Sequence, residues 1–178
     1  MKRSHQILLC AIMALGAFLR FRNLGAVPAW HPDEGSNMAI GTSLAQGEQA
    51  YLAFGRSSFI NGHPHLFYSL LAAAFRLGGP NILWARVVSS ACGLIALGLL
   101  YLLARTLLDD DVALIASLAY AVYPAAVVYN RFAFTYNLLA PLYLLGLYGL
   151  HRYLDCSQKP WLVIASLCGG LALVTDVI

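Results

Sequence analysis

Ile82 to Leu103 reads ILWARVVSSACGLIALGLLYLL and carries a single ionisable side chain, Arg86. About twenty apolar residues in a helix cover the ~30 Å hydrocarbon core of a bilayer, and the helix satisfies every peptide N–H and C=O where no water is available. This stretch is therefore expected to be a membrane span. The same reading applies outward from it to Ser4–Phe21, to Val112–Val128, to a run centred on Leu138–Leu150 that extends from Phe132 to Leu154, and to a run from Trp161 that is still apolar at Ile178.

Composition agrees. Of 178 residues, 60% are hydrophobic and 11% charged, with a mean hydropathy of +0.70. A soluble domain keeps about a quarter of its residues charged, so disorder, secreted disulfide scaffolds and ordinary cytosolic enzymes are excluded. The formal charge of +3 is not gathered into a basic run, which argues against a nucleic-acid partner. Cys10, Cys92, Cys156 and Cys168 lack zinc or redox spacing and read as small core residues. The expected fold is all-α: a polytopic membrane protein of about five transmembrane helices with a long extracytoplasmic first loop.

The first run follows Met1-Lys2-Arg3 and has the length of a signal-peptide core, but Arg20 and Arg22 follow it and a small-x-small cleavage site does not. Retained, it spans the membrane with Arg20 snorkelling to the far interface. The loop, residues 22–81, is the richest part of the chain in polar residues, Gly and Pro. Pro32 is expected to open a helix running to about Gln46, with Asp33 and Glu34 at the positive end of its dipole. A second helix from Pro64 to Leu77 places Leu66, Phe67, Leu70, Leu71 and Ala74 on one stripe, as in a helix lying in the membrane interface. The short loops carry Arg105, Arg152 and Lys159 on one side, which sets the N-terminus inside and residues 22–81 outside.

Several groups then fall on that outer side. Asp33 and Glu34 are candidate catalytic carboxylates, or an acidic first turn that stabilises its helix. His63 and His65 flank the start of the second helix, where an anion would meet free backbone N–H groups. Arg86 and Arg131 sit at outer span ends, as phosphate ligands or as interfacial anchors. Asp33 is expected to face Arg86 across one pocket. Convergence of His31, Asp33, His63 and His65 on a metal is the competing arrangement and is not favoured. Asp109-Asp110-Asp111 reads as a solvated inner loop. A transporter would place charges or a helix break near the bilayer midplane, and the middles of the second, third and fourth spans show neither.

In order, Phe18-Leu19-Arg20-Phe21-Arg22-Asn23-Leu24, Pro28-Ala29-Trp30-His31-Pro32-Asp33-Glu34, Gly62-His63-Pro64-His65-Leu66-Phe67-Tyr68 and Ala85-Arg86-Val87-Val88-Ser89 resemble the N-terminal half of the GT-C membrane glycosyltransferases, closest to the protein mannosyltransferase and aminoarabinose transferase superfamily. His65 stands where a second Pro is usual, and Asp176 where relatives often have Lys. The resemblance implies that residues 1–178 are the N-terminal part of one GT-C module, C-terminally truncated and inactive alone. It implies transfer of a sugar from a polyprenyl-phosphate donor to a protein, lipid or glycan acceptor at the extracytoplasmic face of the plasma (inner) membrane. Asp33 and Glu34 would be catalytic, His63, His65, Arg86 and Arg131 would bind substrate, and no cofactor is required. The alternatives are a noncatalytic membrane subunit or scaffold and, after it, a polytopic transporter.

Overall fold

The computed structural model describes residues 3–48, 66–173 and 175. Within them the chain forms eight α-helices and one 3₁₀ helix, and no strand. The helices are α1 (Arg3–Phe21), α2 (Pro32–Ala45), α3 (Leu66–Gly78), α4 (Ile82–Leu107), α5 (Asp110–Val122), α6 (Pro124–Asn130), α7 (Leu139–Cys156) and α8 (Lys159–Leu173), with the 3₁₀ turn at Thr135–Leu138 before α7. α1 and α4 are each long and apolar enough to cross a membrane, and α5 with α6 makes a third candidate span bent by 60°. The protein is thus a helical membrane protein. Of the five expected spans, these meet the criterion; α8 is apolar but 15 residues long, and α7 carries His151, Arg152 and Asp155 within its 18 residues.

α4 is the hub, packing against α1, α3, α5, α6, α7 and the 3₁₀ turn. Half of it, through Ala85 and Cys92, joins Ile40 of α2 and Phe67, Leu71 and Phe75 of α3. Its other half, through Leu97, Tyr101 and Ala104, joins Ile12 of α1 and Ala113, Leu114 and Ala121 of α5. Cys92 and Cys168 are buried as expected, whereas Cys10 and Cys156 are exposed on the helix bundle.

α3 differs from its expected stripe. Phe67, Tyr68, Leu71, Ala72, Ala74 and Phe75 are buried, and Leu70 and Leu77 are exposed. The helix is turned toward α2 because Gly41 lets the two approach: a Cβ there would lie 2.9 Å from Leu71 Cβ. Arg76 completes the pairing by donating from Nε and Nη2 to the carbonyls of Ala45 and Leu44 in the last turn of α2.

The third apolar run is not one straight span. Pro124 has no N–H to give Tyr120, and its ring excludes continued helix, so the chain turns between α5 and α6. The freed carbonyls are met by Arg20. Its Nη2 donates to Tyr120 O at 3.3 Å and Nη1 to Ala121 O at 3.1 Å, while Nε donates to Asn130 Oδ1 at 3.0 Å and the guanidinium lies over the Tyr120 ring. Arg20 is therefore fully buried and does not snorkel. The helix break at Pro124 is filled by this side chain.

Asn130 can reach Arg20 because α4 presents Gly93 beneath it; a Cβ at Gly93 would meet the Asn130 side-chain amide. Gly93→Ala is therefore expected to lower the thermal-unfolding midpoint in detergent, overpacking costing about 1–3 kcal/mol. Gly98→Ala in the same helix, where a Cβ meets only Met13 Cε at 3.8 Å, should leave the midpoint unchanged or raise it. Equal effects at the two positions would remove Asn130 from its role at the break.

Candidate active site

At the bundle end where α1 stops and α4 begins, the Arg22–His31 segment folds back over α4 and leads into α2. His31 caps α2: its Nδ1 accepts from Asp33 N at 3.2 Å, and Glu34 Oε2 accepts from His31 N at 3.2 Å. Pro32 starts the helix without an N–H that would need a partner. A helix advances by 100° per residue, so the two adjacent carboxylates point to different surroundings. Glu34 is fully buried and Asp33 is exposed.

Glu34 meets Arg86. Oε1 accepts from Nε and Oε2 from Nη2, each at 2.8 Å. Oε1 also accepts from Ala133 N at 3.0 Å. Arg86 spends its remaining N–H groups on the carbonyls of Leu24, Pro28 and Ala29. Five guanidinium donors thus meet five acceptors, and a side chain that is costly in a membrane is neutralised and saturated. The carboxylate that meets Arg86 directly is Glu34, because the capping geometry turns position 34 inward and position 33 outward.

Asn37, one turn further along α2, donates to Ala133 O at 2.8 Å. Ala133 is consequently held by its N–H and its C=O, both from α2. Asn137 Nδ2 donates to the carbonyls of Tyr129 and Phe132, and its Oδ1 accepts from Asn130. Arg131 donates from Nη1 to Leu19 O and from Nη2 to Arg22 O and Val27 O. Its Nε is buried without a hydrogen-bond partner. Burial lowers the Arg131 guanidinium from its ordinary value, and the nearby Arg86 charge adds to the shift.

Asp33 has one polar neighbour of note: Oδ2 lies 3.6 Å from His31 Nδ1. The His31 ring rests edge-on against Phe132 and Phe134, with centroids 5.8 and 5.1 Å away. The arrangement leaves an exposed carboxylate at the anchored start of α2. His63 and His65 lie outside the described residues, as do the rest of residues 49–65 and Asp176. Among the described residues no three His, Cys, Asp or Glu side chains come together as a metal site. Asp109 and Asp111 of the acidic triplet are exposed, as expected; Asp109 also caps α5, Asp110 pairs with Arg105, and His5 lies near Asp110 and Asp111.

Sequence reasoning missed Asn37, Asn130, Asn137 and the Ala133 backbone. A signal was present for two of them, since Asn130 and Asn137 interrupt apolar sequence and a buried amide needs partners. None existed for Ala133, which acts through its peptide group.

The family model described as dolichyl-phosphate-mannose-protein mannosyltransferase matches residues 62–176. The chain belongs to that family. No curated protein and no solved structure matches it significantly. Membership makes it a membrane glycosyltransferase of the mannosyltransferase type, and the family implies a lipid-linked sugar donor and an acceptor. The matched region holds α3 to α8, including Arg86 and Arg131, and leaves Asp33 and Glu34 ahead of it.

The two carboxylates should separate in a stability measurement. Glu34→Ala leaves Arg86 buried without a counter-charge and is expected to cost about 3–5 kcal/mol. Asp33→Ala removes an exposed group and should stay within about 0.5 kcal/mol. Thermal unfolding of the purified protein in detergent checks both, and a Glu34→Ala protein as stable as wild type would refute the buried pair.

Proposed function

We propose that this chain is the N-terminal part of one GT-C module that moves a sugar from a polyprenyl-phosphate donor to an acceptor hydroxyl at the extracytoplasmic face of the plasma (inner) membrane, with Asp33 as the general base. The observation that carries the proposal is the division of labour between neighbours: Glu34 is consumed by Arg86 and Ala133, and Asp33 is left exposed on the helix start they fix. Glu34 then acts as a positioning residue. Family membership supports the reaction class.

The proposed step is a displacement at the anomeric carbon. An Asp33 carboxylate oxygen accepts the proton of the acceptor hydroxyl as that oxygen bonds to the sugar carbon. The bond from the same carbon to the phosphate oxygen breaks, and its electron pair leaves with the polyprenyl phosphate. Charge builds on that leaving phosphate at the depth of the lipid headgroups, where a fixed cation stabilises it most because water is scarce. Arg86 has no donor to spare for this. Arg131, His63 and His65 are retained as proposed phosphate ligands. The step as written moves a proton and a sugar and calls on no redox or carrier cofactor; a divalent metal is not favoured.

Asp33→Asn keeps the shape and removes the charge. In the complete protein it is expected to lower sugar transfer by about 10²–10⁴-fold with donor affinity largely kept. Activity within tenfold of wild type would remove Asp33 from the base role and favour the noncatalytic subunit or scaffold.

Sidedness has its own test. In a background with Cys10 and Cys156 replaced, a cysteine at Glu48 should react with an impermeant thiol reagent in intact cells, and one at Gln158 should not; both positions are exposed. The reverse labelling would invert the proposed orientation and place the carboxylates on the wrong face for this donor.

A further inference from the structure

The segment from Tyr129 to Tyr136 joins α6 to the 3₁₀ turn and places an aromatic ring at positions 129, 132, 134 and 136. These rings are contiguous. Phe132 stacks on Phe134 with centroids 5.0 Å apart, Phe134 is 5.1 Å from Tyr136, and Tyr129 is 6.5 Å from Phe134 and 6.2 Å from Tyr136. Phe134 is buried at the base, while Tyr129 and Tyr136 are 53% and 40% exposed. His31 continues the series from Phe132 and Phe134 to within 3.6 Å of the Asp33 carboxylate. Aromatic residues scattered around span ends are ordinary interfacial anchors. This set differs from such a belt in being one continuous array. Its backbone is also pinned at Ala133 by Glu34 and Asn37, and at Tyr129 and Phe132 by Asn137.

We infer that Tyr129 and Tyr136, whose rings stand at 62° to each other and are backed by Phe132 and Phe134, form an angled shelf that receives a pyranose ring beside Asp33. A ring of this kind carries a negative face, and the axial C–H bonds of a pyranose present a weakly positive, apolar patch that fits it. The hydroxyl rim of the same sugar remains free to meet the carboxylate. This assignment rests on the proposed function, since it is that reaction which brings a sugar to Asp33. The sugar can belong to the donor or to a glycan acceptor, and the chemistry of the shelf is the same for both.

The test is saturation-transfer NMR on the complete protein in phospholipid nanodiscs, with methyl α-mannopyranoside as the probe. Transfer to the ring C–H protons should fall by about two- to tenfold in Tyr129→Ala and in Tyr136→Ala, in line with the modest worth of a single aromatic contact. It should persist in Tyr129→Phe and Tyr136→Phe, which keep the ring. It should also persist in Tyr143→Ala, which removes an exposed aromatic from α7. Unchanged transfer in both alanine variants, or equal loss in Tyr143→Ala, overturns the shelf. Farnesyl-phosphate mannose added as competitor identifies the source: displacement of the probe assigns the shelf to the donor sugar, and coexistence assigns it to the acceptor. The readout needs no turnover and is repeated in Asp33→Asn, so failure of the shelf and failure of the base assignment are separable.

Discussion

The buried ion pair between Glu34 and Arg86 is the constraint on which this end of the molecule depends. Arg86 sits early in α4, the hub of the bundle, and reaches out of it to hold one helix start and three carbonyls of the segment before it. Glu34 passes the restraint on to Ala133, so three stretches of chain that are far apart in sequence meet on one carboxylate. Removing either charge would strand the other in an apolar setting and release all three stretches together.

Arg20 does comparable work at the α5–α6 break, where it supplies donors to carbonyls that Pro124 has freed. The two arginines are linked through shared neighbours. Asn130 binds Arg20 and Asn137, Asn137 holds the carbonyls on either side of Arg131, and the next residue pair leads to Ala133 and Glu34. Both are buried because acceptors are present within the helix bundle, and this is the circumstance in which an arginine need not reach for the lipid headgroups.

The helices themselves were legible because burial in lipid forces long apolar runs, and both loop helices announce themselves through Pro32 and an amphipathic stripe. The stripe of α3 was read slightly rotated, since periodicity shows that a face is apolar but not which neighbour it meets; Gly41 decided that. The break at Pro124 was signalled by the proline itself, and hydropathy alone passes over it because the run stays apolar across it. At the site, the residue types were legible and the pairing was not. Asp33 and Glu34 are chemically near-equal in the sequence, and only the capping geometry of His31 and the path of the Arg22–His31 segment decide which of them turns inward.

A buried ion pair is seldom the most stable solution, since well-packed apolar side chains of similar volume do as well or better. What such side chains lack is direction. A bidentate carboxylate and guanidinium fix both distance and angle, and here they fix them between a spanning helix and the first turn of a loop helix. An apolar contact at the same place would tolerate rotation of α2 about its axis, and a rotation of one residue spacing would carry Asp33 into the surroundings of Glu34 and move Glu34 out of them. The Asn37 to Ala133 hydrogen bond, one turn along the same face, resists that rotation from a second point. The exposed position of Asp33 therefore follows from the specificity of buried polar contacts rather than from any contact of its own, and the cost of placing charge in the membrane is offset by an orientation that hydrophobic packing does not provide.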